Sequence, residues 1–523
     1  MSDLDDLKNT WFIPMDGSTI EGVPCQRGTD GGADALSVST DGNTVTPQID
    51  GQTYMGLWHN NLLGLKGQPG AELQHAAWRL EPVKTLGASA PGNDALEDIH
   101  DADTASVATH VDICGNPLAL KFNVPSYHTL RDIDGVAGAC MDQRFPATGS
   151  NHQKFAIFKT DTSASAMTGS IDISKSRWDT TAHLLVNADR DAKLGQATHD
   201  TGVLVEGPAV GDIEKTFRER WNDPTRTNLQ FPPVPPPITS PVAAFPSNGT
   251  HSVQVLRTYG IEQAANAYSW SPRGEFTVWA SYLNAIKKAK TYIYIEDQYF
   301  YPFGWPPCYA RANGSPAQRT DLVFQLGQAI LNNGVQVVIL VPTRGEDSVY
   351  IYQTYQRNLG VNYLMDIAAQ AQSQTPAQGT QGDLVVASLQ KDTGDVMVHS
   401  KLMIVDDKFV LIGSANVGQR SMTMDSELHL GIVDPDDVFA LDLRKNLWAE
   451  HSGRTFADIP DVPAQAFTQI KADVAGKVGR LKPYEPDKNA VYPPVSGSTS
   501  PPFGHTTIMP GLIDPYCGPP SLR

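Results

Sequence analysis

The stretch VMVHSKLMIVDDKFVLIGSAN, residues 396–416, decides the fold class. Its apolar run around His399 and Lys401 is short enough for a strand. In a strand, residues i and i+2 share a face, so His-x-Lys sets an imidazole beside an ammonium group. That pair suits phosphate chemistry: the lysine holds a non-bridging oxygen while the histidine meets phosphorus or a bridging oxygen. Upstream lie LVVASL, a long helical stretch, the continuous apolar run VQVVILVP from Val335, a helix around 322–331, the β-rich run TYIYIEDQYF from Thr291, and a helical pattern over 276–289. Continuous apolar runs suit strands covered on both faces. Strands alternating with helices predict an α/β layered unit.

A second segment of the same kind sits far upstream. NHQKFAIFKTD, residues 151–161, carries His152 and Lys154. It is followed by MTGSIDIS, then THDTGVLVEGPAV and the helical DIEKTFRERWN. Each His-x-Lys strand precedes a small-residue turn, with Ser170 and Asp172 in one and Ser414 and Asn416 in the other. Glycine lets backbone approach a ligand closely, and these polar side chains are candidates to bind phosphate oxygens. A lone His-x-Lys is a chance tripeptide; two, each followed by a Gly-Ser turn, are not.

The Pro-rich run FPPVPPPITSPVAAFP, residues 231–246, favours an extended connector. It divides the chain into an N-terminal half (1–230), a linker (231–250), a C-terminal half (251–480) and a Pro/Gly-rich tail (481–523). The predicted fold is α/β: two similar α/β/α halves, each a mixed sheet flanked by helices, related by a pseudo-twofold with the active site between them. Residues before about 125 are rich in Gly, Asp and Asn turns and resist assignment.

Of 523 residues, 40% are hydrophobic and 19% charged, which places the chain among globular proteins. A formal net charge of −17 argues against nucleic acid as the main ligand. The five cysteines are scattered and lack metal-type spacing. The acidic start MSDLDDLKNTWF is not a secretory signal, and no apolar run is long enough for a membrane span. The expectation is a soluble, monomeric protein in peripheral contact with membranes, cytoplasmic or exported by a signal-independent route.

The chain resembles the phospholipase D superfamily, with its duplicated H-x-K-x4-D motif. The second copy matches through His399, Lys401, Asp406, GSAN, Arg420-Ser421 and Asp425-Ser426-Glu427. The first copy departs at the acidic position, which is Lys159, with Asp161 two residues on. That position is an odd offset from the histidine, so on a strand its side chain points away and its role is structural. GSIDISKSRWD, HDTGVLVEGPAV, FRERWN and YIYIEDQYF resemble the membrane-lipid phospholipases D in particular, over roughly residues 151–433.

The resemblance implies hydrolysis of the distal phosphodiester of glycerophospholipids through a phosphohistidine, with transfer to primary alcohols as well as water. His152 is assigned as nucleophile and His399 as general acid/base. Lys154 and Lys401 neutralise the phosphoryl oxygens in place of a divalent cation, and no compact Asp/Glu/His cluster in the sequence demands a metal or cofactor. Asp200 and Glu427 stand at the family's acidic positions and are expected to orient the imidazoles, Asp200 on His152 and Glu427 on His399. His183 and His199, and Tyr299-Phe300-Tyr301 with Trp305, are further candidates for the pocket. The competing readings are a nuclease or other phosphodiesterase on the same scaffold, a non-catalytic binding module, and a serine hydrolase, which lacks its G-x-S-x-G elbow here. A toxin delivered to another cell's membrane would use the same chemistry.

Overall fold

A computed structural model describes residues 3–488, apart from 28–35, 88–91, 93, 134, 137, 146–148, 191–195, 224–230, 232–234, 240–244, 246–248, 261–267, 304–317, 344–349 and 375–380. Trp305 and most of the Pro/Gly-rich tail lie outside the described residues.

Helix α1 (Asp3–Trp11) and a short hairpin, β1 (Thr19–Ile20) with β2 (Val23–Pro24), come first. Then follow β3 (Thr40–Ile49), α2 (Gly51–Leu65), β4 (Glu72–Ala77), α3 (Ala95–Thr104), β5 (Ala108–Cys114), α4 (Leu120–His128) and β6 (Ala139–Asp142). The first His-x-Lys leads into β7 (Phe155–Lys159), followed by β8 (Ala164–Gly169), β9 (Ala197–His199), β10 (Thr201–Glu206) and α5 (Ala209–Trp221). Beyond the proline run come β11 (His251–Tyr259), β12 (Glu275–Phe276), α6 (Thr277–Lys288), β13 (Tyr292–Asp297), α7 (Leu322–Asn333), β14 (Gln336–Leu340) and α8 (Tyr350–Gln372). The chain continues through β15 (Asp383–Lys391), β16 (Gly394–Val398), β17 (Lys401–Val405), β18 (Phe409–Gly413), α9 (Gln419–Thr423) and β19 (Glu427–Val433). It ends with α10 (Phe439–Ser452), α11 (Pro463–Gly476) and β20 (Leu481–Pro483).

Among the described residues, hydrogen bonding places fourteen of these strands in two seven-stranded ladders of one design. The first runs β6-β5-β4-β7-β8-β10-β3. The second runs β15-β14-β13-β17-β18-β19-β11. In each, the first two pairings are parallel and the remaining four antiparallel. Parallel neighbours need crossovers, supplied by α3 and α4 in one half and by α7 and α8 in the other. The ladders meet where β3 pairs antiparallel with β11.

Each sheet is covered on both faces, as the unbroken apolar strands require. Along β17, Leu402 and Ile404 enter a central core shared by both halves with α5, α10 and α11, while Met403 and Val405 enter the outer core under α6, α7 and α8. Along β7, Phe155 and Ile157 enter the central core, and Ala156 and Phe158 the outer core under α2, α3 and α4. Helix α1 ends in the outer core of the second half, where Trp11 stacks on Phe409 at 5.6 Å. The proline run is pinned where it is described: Asn222 brackets Ile238 with two hydrogen bonds of 2.8 Å, and Trp221 donates to Pro236.

The motif aspartate does structural work, though from the turn after β17 and not from a strand. Asp406 and Asp407 turn the chain from β17 to β18 at φ 53° and 52°, a region Asp tolerates better than most residues. The Asp406 carboxylate accepts the backbone N–H groups of Lys290, Thr291 and Tyr292 at 2.8–2.9 Å, fixing the start of β13. In the first half Lys159 instead pairs with Glu72 at 3.0 Å. Asp406→Ala should therefore lower the unfolding free energy by about 2–4 kcal/mol in a urea titration while leaving specific activity within about twofold.

Candidate active site

Both His-x-Lys segments dock against the opposite half. The His152 N–H donates to the Ser426 carbonyl at 2.9 Å, and the His399 N–H to the His199 carbonyl at 2.8 Å. The second contact continues a parallel pairing of β16 with β9. Arg220, from FRERWN, reaches the same seam: it pairs with Asp142 and donates to the Ser426 hydroxyl at 2.9 Å. Each lysine folds back on its own motif, Lys154 Nζ onto the His152 carbonyl at 3.0 Å and Lys401 Nζ onto that of His399. Lys154 Nζ lies 3.7 Å from Asp172 and 5.6 Å from the centre of the Trp78 ring. Lys401 Nζ donates to Gln298 at 3.1 Å.

The orienting carboxylates are exchanged between halves, which reverses the pairing expected from sequence. His152 Nδ1 lies 3.0 Å from both oxygens of Glu427, and His399 Nδ1 lies 2.8 Å from Asp200. The docking just described is the reason. Ser426 precedes Glu427 and His199 precedes Asp200, so each histidine sits beside the other half's acid.

The turn serines also differ from expectation. Ser170 donates to Asp200, and Ser414 to Glu427 at 2.6 Å, so both hydroxyls hold the carboxylates and are spent before any phosphate arrives. Asp172 accepts the Arg79 backbone N–H at 2.9 Å and lies 3.7 Å from the Lys154 ammonium group, so its carboxylate is engaged by these two residues. Asn416 is buried with Oδ1 unpaired. The glycines before the serines serve strand packing: a Cβ on Gly169 would meet Gly202 Cα at 2.4 Å, and one on Gly413 the Leu428 carbonyl at 2.3 Å.

Burial holds His152 well below its usual pKa, and the ammonium groups of Lys154 and Lys401 push the same way. Glu427, held by Ser414 of the second motif's turn and bonded to His152 of the first motif, brings the two motifs together. With Nδ1–H aimed at Glu427, a neutral His152 keeps a lone pair on Nε2. Burial raises Glu427 to about 7 and raises Asp200. Burial also lowers Lys401 to about 7 against the opposing attraction of Asp200. An arriving phosphate anion would restore its charge.

The structure also assembles a group that linear reading missed. Asp50, His183, His199, Glu296, Glu450 and His451 lie together: Glu450 and His451 on α10, Asp50 just after β3, His183 in the connection from β8 to β9, His199 on β9 and Glu296 on β13. These residues span positions 50–451, so no local spacing announces them. His183 and His199 are fully buried in this group. Tyr299 and Tyr301 stack at 5.5 Å, and Phe300 is buried. Asp132 pairs with the exposed His128 one helical turn away.

Two domain families match the chain over the segments that carry the two motifs. The one described as "Phospholipase D" matches residues 130–313, and the one described as "Cardiolipin synthase, PLD-like domain" matches residues 282–449. Among curated proteins, the chain is 23% identical to phospholipase D A of Dictyostelium discoideum over 79% of its own length and 33% of that protein's. It is 26% identical to phospholipase D delta of Arabidopsis thaliana over 58% of its length and 48% of that protein's. The chain thus spans half or less of these relatives. Among solved structures it is similar to a phosphatidylserine synthase of Haemophilus influenzae, with 14% identity, 82% of this chain and 93% of that one covered, and a TM-score of 0.49. With both motifs inside the matched segments, the chain belongs to the phospholipase D superfamily.

Proposed function

We propose that the protein is a phospholipase D, cutting the distal phosphodiester of glycerophospholipids to phosphatidic acid and free headgroup and passing the phosphatidyl group to primary alcohols when these compete with water. The observation that carries this reading is the pair of imidazoles, each oriented through Nδ1 by a buried carboxylate, with two lysines acting on the same site. The relatives named phospholipase D support the lipid substrate.

In the first step Nε2 of His152 attacks phosphorus, the P–O bond to the headgroup breaks, and His399 gives its proton to the departing oxygen. Glu427 stabilises the charge that develops on the His152 ring. In the second step water or an alcohol attacks phosphorus, the P–N bond breaks, and His399 takes the incoming proton. Lys154 and Lys401 hold the non-bridging oxygens. At about 4 Å and an effective dielectric near 20, each such contact has a Coulomb term of roughly 4 kcal/mol before desolvation.

Headgroup release from phosphatidylcholine and phosphatidylethanolamine vesicles, with and without ethanol and beside single-stranded DNA, tests the reading. Phosphatidylethanol should form, and His152→Ala and His399→Ala should each cut turnover by at least about a thousandfold. Cleavage of DNA with lipid untouched would overturn the lipid assignment. The exchanged pairing is checked by NMR titration of ring-labelled histidine: Glu427→Gln should move the His152 resonances and Asp200→Asn those of His399, each with a loss in kcat of about 10²–10⁴. Because burial and the two ammonium groups disfavour the imidazolium form of His152, its ring resonances in the same NMR titration should show a midpoint below 6.5. A His152 midpoint at or above 6.5 would mean that this ring is not the free base.

A further inference from the structure

One buried group has no part in the mechanism above. Asp50, His183 and His199 from the first half and Glu450 from α10 of the second turn one oxygen or nitrogen each toward a common point. His183 Nε2 is 3.0 Å from Glu450 Oε1 and 3.8 Å from Asp50 Oδ2. His199 Nδ1 is 3.2 Å from both Glu450 Oε1 and Asp50 Oδ1. An ion with ligands about 2.0–2.2 Å away in a tetrahedron spaces them roughly 3.3–3.5 Å apart, the range these contacts straddle.

The two contacts of His199 Nδ1 lie at ion-pair distance but outside hydrogen-bond geometry. Among the described residues this nitrogen, Asp50 Oδ2 and Glu450 Oε2 are buried without a hydrogen-bond partner. Orphaned donors and acceptors of this kind are costly in a protein interior unless something occupies the space between them.

The outer contacts match those of a metal-binding histidine, whose second nitrogen is typically fixed by a carboxylate. His183 Nδ1 lies 3.2 Å from Asp179, itself held by Arg190 at 2.8 Å. His199 Nε2 lies 3.0 Å from Glu296, whose other oxygen meets His451 at 3.0 Å. Two imidazoles and two carboxylates, each imidazole backed by an acid, are the donor set zinc favours over calcium or magnesium.

We infer that Asp50, His183, His199 and Glu450 form a zinc(II) site that ties the two halves together behind the active site. It is a closed structural site, and no step of phosphoryl transfer passes through it. The tie acts on the reaction by position. The Asp50 N–H donates to the Asp200 carbonyl at 2.8 Å, and the His199 carbonyl accepts the N–H of His399. Both members of the His399–Asp200 pair thus hang from zinc ligands.

The test uses the full chain without an affinity tag. Elemental analysis should find about one zinc per chain, and cobalt(II) replacing it should give the intense visible bands of tetrahedral coordination. Removing the metal should lower Tm, with zinc and not magnesium restoring it. His183→Ala and Glu450→Ala should abolish stoichiometric zinc, and Asp179→Asn should weaken its affinity by about 10–100-fold. If the alanine variants do not fold, the wild-type measurements decide alone. A wild-type chain that neither carries zinc nor takes up zinc or cobalt at micromolar concentration would overturn the proposal and leave the group as a network of protonated imidazoles and carboxylates.

Discussion

Each half of this protein lends the other a carboxylate. A buried imidazole with nothing at Nδ1 has no fixed ring orientation, and a buried carboxylate with no partner carries an uncompensated desolvation cost. Here both problems are solved across one seam: Glu427 holds His152, Asp200 holds His399, and the adjoining backbone bonds to Ser426 and His199 set the distance. Interface geometry and active-site geometry are consequently the same geometry. The turn serines, through the carboxylates they hold, and Arg220 serve that seam.

How far this was legible in the sequence depended on whether a residue's neighbours are local. The second half reads well because β13, β14 and β17 each carry four consecutive apolar or aromatic residues and α7 is bracketed by an Asp321 cap and Gly334 in the left-handed region. The opening of the first half repeats the same topology and is opaque. Its strand β4 reads ELQHAA and buries Glu72, Gln74 and His75, while α4 carries Pro125 in its interior. Neither pattern matches the periodicity of its element, because tertiary contacts override local preference.

In the site, strand parity does not apply to the motifs: His152 and Lys154 lie just before β7, His399 lies just before β17, and Asp406 sits in the turn that follows β17. Parity says nothing about which strand of the other half lies opposite, so the carboxylates were recognised and then paired the wrong way round. The turn serines were misread for a related reason. A hydroxyl that can donate to phosphate can equally donate to an acid on the adjoining strand, and only the register of β8 with β10 and of β18 with β19 shows which it does.

The matching strand order of the two ladders has a historical reading. A contact in which each side gives what it takes is the signature of a symmetric dimer, so a single-copy forerunner would have been complete only as a pair of identical subunits. Joining the copies in one polypeptide fixes their ratio and lets the two sides diverge. They have done so: Trp78 accompanies Lys154 where Gln298 accompanies Lys401, and a lysine–glutamate pair stands in one copy where an aspartate cradles backbone in the other. A homodimer must give its two histidines identical surroundings. A fused one is free of that constraint and can hold its two imidazoles in different electrostatic surroundings.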